Sequence, residues 1–231
     1  MNEEEAKAIQ ETAKTAGKGI DLVQSAGKTM DRIFGETMNQ FGGGLADWAT
    51  YWRYKNFLAI ADKVEALHAA RRLAGRPIPL PVQFALPILE AASLEAEEDV
   101  QDLWVGLIAN AGDPSKAYKP KKVFLETLRG MQSLDAVILK ALADEALLEK
   151  YSVISGSLLN AGMLATEIGA DFLEVQISLQ SLARLGCVID TWSETIDGMD
   201  TGYSGFRVNN PKSNIRLSHL GAQLLLVTSS K

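Results

Sequence analysis

Cys187 and His219 are the two residues whose chemistry could make a nucleophilic pair, a thiol beside an imidazole base. Such a pair also needs a third group that orients the imidazole and an oxyanion pocket, and no motif signals either of them. The sequence therefore favours a buried structural thiol at Cys187. His68 stands close to Arg71 and Arg72, which indicates a surface role for this imidazole rather than a ligand role.

An acidic patch from Glu95 to Asp102 is the only other group of chemically active side chains. On one helix, Glu95, Asp99 and Asp102 would share a face, which could suggest a divalent metal site. Acidic residues near a helix N-terminus are also stabilised by the helix dipole, and no second carboxylate cluster or histidine supports a metal. The run Gly42 to Gly44 lacks the lysine and the strand of a phosphate loop. We therefore expect no metal, no cofactor and no enzyme activity.

Composition limits the classes of partner. The 231 residues carry a formal net charge of −6, which argues against a general affinity for nucleic acid phosphate. One cysteine excludes an internal disulfide framework. The acidic N-terminal sequence lacks the apolar core of a secretory signal, and no apolar run is long enough to span a bilayer. We expect a cytoplasmic protein.

The N-terminal segment has a helical stripe whose members are often small. It runs through Ile9, Ala13, Ala16, Ile20, Val23, Gly27, Met30, Phe34 and Phe41. Such a helix lets another helix approach closely and is marginal alone, so it needs a partner. That partner is its own chain or a second copy. The alternative is a lipid surface, because Trp48 and Trp52 follow the stripe and suit a membrane interface.

A second helix is expected from about residue 45 to 73. The segment from Tyr51 to Arg76 has an excess of positive charge, carried by Arg53, Lys55, Lys63, Arg71, Arg72 and Arg76. The pattern favours pairing of these cations with the acidic patch, and nucleic acid contact is the alternative. Four prolines between Pro77 and Pro87 then predict a connector without regular helix, followed by a helix to Leu94. The predicted interaction residues of the whole chain are Ile9, Ile20, Val23, Met30, Phe34, Phe41, Trp48, Trp52, Arg71 and Arg72.

The sequence of the C-terminal part predicts three helices, a two-stranded ribbon and a last helix. Ser133 caps the first helix, the third runs from about Asp171 to Leu185, and Gly186 ends it. Three helices before a ribbon is the order of a winged helix-turn-helix domain. The exposed positions predicted for the third helix are Asp171, Glu174, Gln176, Gln180 and Arg184. Because the acidic residues at this surface repel phosphate, and the chain from Met131 onward carries seven Lys or Arg against eleven Asp or Glu, we favour a protein-contact module over a DNA reader.

The fold class that follows is all-α with a small two-stranded β-wing. We predict three regions: residues 1–50, an amphipathic Ala/Gly-rich helical segment; residues 51–131, a central helical domain; and residues 132–231, a winged-helix-like domain.

Several segments resemble a known family. The stretch PLPVQFALPILEAASLEAEEDVQDLWVGLIANAGDP, which begins at Pro79, is similar to the central region of the bacterial abortive infection alpha proteins. The segments VQISLQSLARLGCV and IRLSHLGAQLL, which begin at Val175 and Ile215, resemble the C-terminal part of that family. The resemblance covers about residues 51–226 and implies a role in defence against phage. It carries over no catalytic residue.

Taken together, these observations predict a non-enzymatic anti-phage protein that acts through protein–protein contacts and self-association. Two alternatives stay open. One is a membrane-acting toxin that uses the N-terminal helix and lies at the periphery of the inner membrane. The other is a winged-helix regulator that binds DNA.

Overall fold

A computed structural model of the protein describes residues 28–35, 48–72, 77–116, 120–144, 160–191 and 214–229. The chain divides into two compact units. The first comprises Met1–Arg129 together with Val227–Lys231, and the second comprises Gly130–Leu226. The described part is mainly helical with one two-stranded antiparallel sheet, which confirms the predicted fold class.

Five described helices build the first unit. They are α1 (Lys28–Phe34), α2 (Trp48–Ala70), α3 (Val82–Leu94), α4 (Glu98–Ala111) and α5 (Lys122–Arg129). Helix α2 packs against both α3 and α4, α1 lies against α2 and α3, and α5 contacts α3 and α4. The long second helix therefore packs against three of the other four described helices of this unit.

The core of the first unit follows from the helical period of α2. Its core-facing residues recur three or four positions apart, at Phe57, Ile60, Ala61, Val64 and His68, and Leu58 beside them is buried as well. Phe57 meets Phe34 of α1 edge to face, with ring centroids 6.2 Å apart. From α4, Trp104 is buried at the centre of a helix with few exposed residues. Burial of this apolar surface holds the helices together.

The proline-rich connector is shorter than predicted. Residues 77–80 belong to no helix or strand and are held by two backbone hydrogen bonds. Ile78 N–H donates to Gly112 O at 2.9 Å, and Leu80 N–H donates to Ile33 O at 2.8 Å. Helix α3 already begins at Val82, with Pro81 as its N-cap residue and Pro87 inside it. The prediction that regular helix starts only at Pro87 is wrong. Pro87 removes a single N–H from the ladder, and the buried face of α3 outweighs that loss.

The second unit contains α6 (Ser133–Ala141), α7 (Ala161–Ile168), α8 (Phe172–Arg184), β1 (Val188–Thr191) and β2 (Asn214–Leu217). The strands pair antiparallel, with Val188 opposite Leu217 and Thr191 opposite Asn214. Helix α9 (His219–Thr228) follows, and its residues from Val227 onward belong to the first unit. The order of elements is the predicted one. The winged-helix assignment stays a prediction.

A buried carboxylate joins α6 to α8. Asp135 accepts hydrogen bonds from the Ser178 hydroxyl, from Ser181 Oγ at 3.1 Å and from the Gln132 N–H at 3.1 Å. Gln132 is the N-cap residue of α6, and Ser133 is the first helical residue, so the predicted cap at Ser133 is displaced by one position. A buried carboxylate is tolerated because its oxygens are satisfied by these donors.

Candidate interaction surface

Helix α8 carries a row of side chains on the side opposite to its buried face. Val175, Ser178 and Leu182 are its buried residues. On a helical period of 3.6, the opposite side is a row that we name the α8 outer stripe, made of Leu173, Ile177, Gln180 and Arg184. The side chains of Leu173 and Ile177 are 55% and 67% exposed. Two bulky apolar residues one turn apart therefore face solvent.

The local sequence fixes where this stripe begins and ends. The Asp171 carboxylate caps α8 by accepting from Leu173 N–H at 2.8 Å and Glu174 N–H at 3.3 Å. Gly169 before the cap and Gly186 after the helix have φ of 68° and 74°, a conformation that glycine adopts without steric cost. The predicted stop at Gly186 is confirmed. Helix α8 is thus defined at both ends, and Asp135 also ties it to α6.

Charge is distributed unevenly along α8. Asp171 and Glu174 are exposed at its N-terminal end, and Arg184 is exposed in its last turn. Of the five predicted exposed positions, Gln176 is half-buried and the other four are exposed. The prediction missed Leu173 and Ile177. Their spacing of four residues, out of phase with the buried residues, was the available signal.

The first unit carries a cleft of about 570 Å³ between α2, α3, α4 and α5. Trp104, Ala91 and Leu94 supply apolar walls, and Arg53 and Arg129 line it as well. The Arg53 Nε–H donates to Ser93 Oγ at 3.2 Å, and Arg129 donates to Pro87 O at 3.1 Å. Burial raises the pKa of Glu95 in the same cleft. Its cationic groups thus hold neighbouring helices in place.

The predicted interaction residues of the N-terminal segment are separated by the structure. Met30 and Phe34 are buried in the first unit, where they contribute to its core and are closed to an outside partner. Trp48 and Trp52 lie in α2. The remaining four lie outside the described residues: Ile9, Ile20, Val23 and Phe41.

Arg71 and Arg72 follow α2 directly and differ in how far their side chains are buried. The Arg71 side chain is only 14% exposed; it donates to Asn110 Oδ1 at 2.8 Å and to Ser229 O at 3.1 Å, and it lies 3.7 Å from Asp113 Oδ2. Arg72 is exposed with a φ of 56°. Arg71 therefore acts as a link within the first unit, because its donors are directed at protein acceptors.

The predicted pairing of the basic helix with the acidic patch is confirmed at one lysine. Lys63 Nζ lies 2.8 Å from Asp102 Oδ1 and 3.4 Å from Glu98 Oε1. Glu95 is the residue that ends α3, whereas Asp99 and Asp102 belong to α4. The three carboxylates therefore do not share one helical face. Within the ranges that the structure describes, no three His, Cys, Asp or Glu side chains are grouped so that they could hold a metal ion.

His68 is buried, so the predicted surface position is wrong. Its Nε2 lies 2.8 Å from Ala109 O, whereas Nδ1 has no hydrogen-bond partner in the described part of the chain. The physical reason for the burial is the helical period: His68 follows Val64 by four residues on the core-facing side of α2. The neighbouring arginines lie beyond the end of that stripe.

The predicted burial of Cys187 is confirmed. Burial, and secondarily the charge of Asp135, raises the pKa of this thiol to about 11. A thiol with that pKa is almost entirely protonated at neutral pH and is a poor nucleophile. His219 begins α9 at an exposed position.

The fold defines a mainly helical protein of two units, of which the second contains a two-stranded antiparallel ribbon. The family model named abortive infection alpha matches residues 54–227, and the chain belongs to this family. This confirms the resemblance of the quoted segments and links the protein to abortive infection, a defence of bacteria against phage. No curated protein and no solved structure matches the chain. Among the described helices, none combines the length and apolar character needed to cross a lipid bilayer.

Proposed function

We propose that the protein acts in abortive infection by binding protein chains, including further copies of itself, and not by catalysis. The observation that carries this proposal is the α8 outer stripe, in which Leu173 and Ile177 expose apolar surface on a helix capped and packed on its other side. Apolar side chains at the centre of an exposed helix face are the usual anchors of a protein contact.

The surroundings of the stripe favour protein over nucleic acid. In winged-helix domains the third helix of the bundle reads DNA, and α8 occupies that place in the order of elements. A phosphate backbone requires lysine and arginine at this surface. Here the N-terminal end of α8 presents Asp171 and Glu174 around the apolar Leu173, and the apolar Ile177 follows one turn later. Both features disfavour phosphate and suit a protein surface.

Phage plating tests the proposal. Cells that express the protein are compared with cells that express a double variant, Leu173→Ser with Ile177→Ser, in which the stripe becomes polar. We expect the double variant to fold and to lose protection against phage. The matched control is Val82→Ser, since Val82 is an equally exposed apolar residue, at 69%, in the first unit. Full protection by a stably expressed double variant would refute the proposal.

One other function is favoured by a specific observation, the order of three helices and a ribbon in the second unit. A DNA-binding regulator would retain a duplex at low salt and release it as the salt concentration rises. Arg184→Glu would weaken that binding, because Arg184 is the exposed cation of α8. Absence of any mobility shift at 50 mM salt, a condition that favours phosphate contacts, would dismiss the regulator.

We place the protein in the cytoplasm, and peripheral contact with the inner membrane is the alternative location. The N-terminal stripe that suggested a lipid surface lies largely outside the described residues. Liposome flotation of the full chain beside a variant that lacks residues 1–50 separates the two locations: flotation that depends on these residues would support membrane contact.

A further inference from the structure

We infer that the α8 outer stripe is covered by the same stripe of a second copy, with the two helices antiparallel about a twofold axis near Ile177. This inference rests on the proposed function and names the partner that occupies the surface. An isologous contact of this kind is the commonest way in which identical chains associate, because one patch has to complement only itself.

The apolar part of the stripe suits such an axis. Ile177 has the larger exposed fraction of the two apolar residues, and an axis beside it brings the Ile177 side chains of both copies together. Leu173 lies one turn away on the same face, so the Leu173 side chains of the two copies flank this contact on either side. Four bulky apolar groups then leave water together at the centre of the pair.

The charged part of the stripe selects the antiparallel direction. Arg184 lies about two helical turns beyond Ile177, so antiparallel packing places it at the N-terminal end of the other α8. Asp171 and Glu174 are exposed at that end. A parallel pair would instead bring Arg184 beside its own symmetry mate, and the like charges would repel.

The same groups are available for a partner. In the part of the chain that the structure describes, the side chains of Glu174 and Arg184 form no ion pair with another residue. Each copy thus offers an unpaired cation, Arg184, at the C-terminal end of the stripe and an unpaired carboxylate, Glu174, beside its N-terminal end. The two ends complement each other only when a second helix runs in the opposite direction.

Sedimentation of the full chain over a range of concentrations tests the inference. One helix pair is a small interface, so we expect a dimer that dissociates in about the micromolar range. In the variant Arg184→Glu, the new carboxylate lies opposite Asp171 and Glu174 of the second copy, and the twofold axis repeats this repulsion twice in each dimer. We therefore expect the dissociation constant to rise about tenfold or more. Adding Glu174→Arg to this variant restores opposite charges, and we expect most of the affinity to return.

A cross-linking measurement covers the case in which a charge variant folds poorly. Ile177→Cys places a thiol at the proposed axis, so a short bismaleimide should join two copies, while the buried Cys187 of the native chain should not react. Val82→Cys is the matched exposed control and should stay monomeric. A monomer at every concentration, an unchanged dissociation constant for Arg184→Glu, or no recovery in the double variant would overturn the inference.

The two proposals fail separately. If the chain is monomeric but Leu173→Ser with Ile177→Ser still abolishes phage protection, the stripe binds a different protein. The second copy is then wrong, the self-association within the proposed function falls with it, and action through contact with another protein stands. If the dimer forms through the stripe and its loss leaves protection intact, the pairing is right and the proposed function is refuted.

Discussion

Replacing Asn110 by alanine should destabilise the first unit by about 3 kcal/mol, from three hydrogen bonds worth about 1 kcal/mol each. The buried Asn110 amide donates to Val227 O at 2.7 Å and to Ser229 O at 3.0 Å, and its Oδ1 accepts from Arg71 at 2.8 Å. The last carbonyls of a helix have no partner within that helix. Asn110 therefore caps the end of α9 from the side of α4, and alanine leaves these carbonyls without that donor.

Urea unfolding followed by tryptophan fluorescence measures this effect, since Trp104 is buried in the same unit. Asn56→Ala is the matched control: Asn56 is half-buried in the first unit, and its amide makes one long hydrogen bond of 3.4 Å to Ser93 O. We expect the control to cost less than about 1 kcal/mol. If both variants unfold at the same urea concentration, the capping role of Asn110 is refuted.

Three further predictions concern packing and ionisation. A Cβ on Gly106 would overlap the backbone of Thr228, so Gly106→Ala should lower the melting temperature sharply. Gly162→Ala is the control: its Cβ would lie 3.4 Å from the nearest atom, so the melting temperature should stay equal or rise. Equal melting temperatures for the two variants would contradict the close approach of Gly106 to Thr228. Cys187, with its pKa raised to about 11 from 9.0, should react with iodoacetamide at pH 8 about a hundredfold more slowly in the folded protein than in urea. Because the unfolded thiol ionises first, the free energy of unfolding should fall as the pH rises from 9 towards 11; a constant value there would contradict the burial. Lys63→Ala removes two exposed ion pairs and should change the free energy of unfolding by less than about 1 kcal/mol, and a larger loss in urea unfolding would show a stronger coupling.

The second unit was predicted most closely, because its element boundaries are marked by local chemistry. Asp171 caps α8 through its own side chain, and Gly186 supplies the left-handed residue that follows the helix. Such signals depend on neighbours in sequence and survive in the folded chain. Helix α8 therefore begins and ends within one residue of the prediction.

The wrong predictions concern positions where tertiary packing, rather than local sequence, determines the structure. Pro87 predicted a helix start, yet α3 continues through it, because burial of Ile88 and Leu89 outweighs one lost hydrogen bond. His68 was assigned to the surface because it stands beside Arg71 and Arg72, and Arg71 was predicted to be an interaction residue. Both side chains instead bond to groups of α4. The acceptors that receive them, Ala109 O and the Asn110 side chain, lie about 40 residues further along the chain. No local sequence pattern predicts a hydrogen-bond partner at that distance along the chain.

The first unit is discontinuous in sequence: it needs residues 227–231, which follow all of the second unit. During synthesis, the binding partners of Asn110 and Arg71 at Val227 and Ser229 emerge from the ribosome only after Gly130–Leu226 have been made. Any fragment that stops inside this stretch lacks the carbonyls of Val227 and Ser229 that accept from these side chains. A nascent or truncated copy is therefore incomplete in both units at once, so assembly of this defence protein is tied to translation through Ser229.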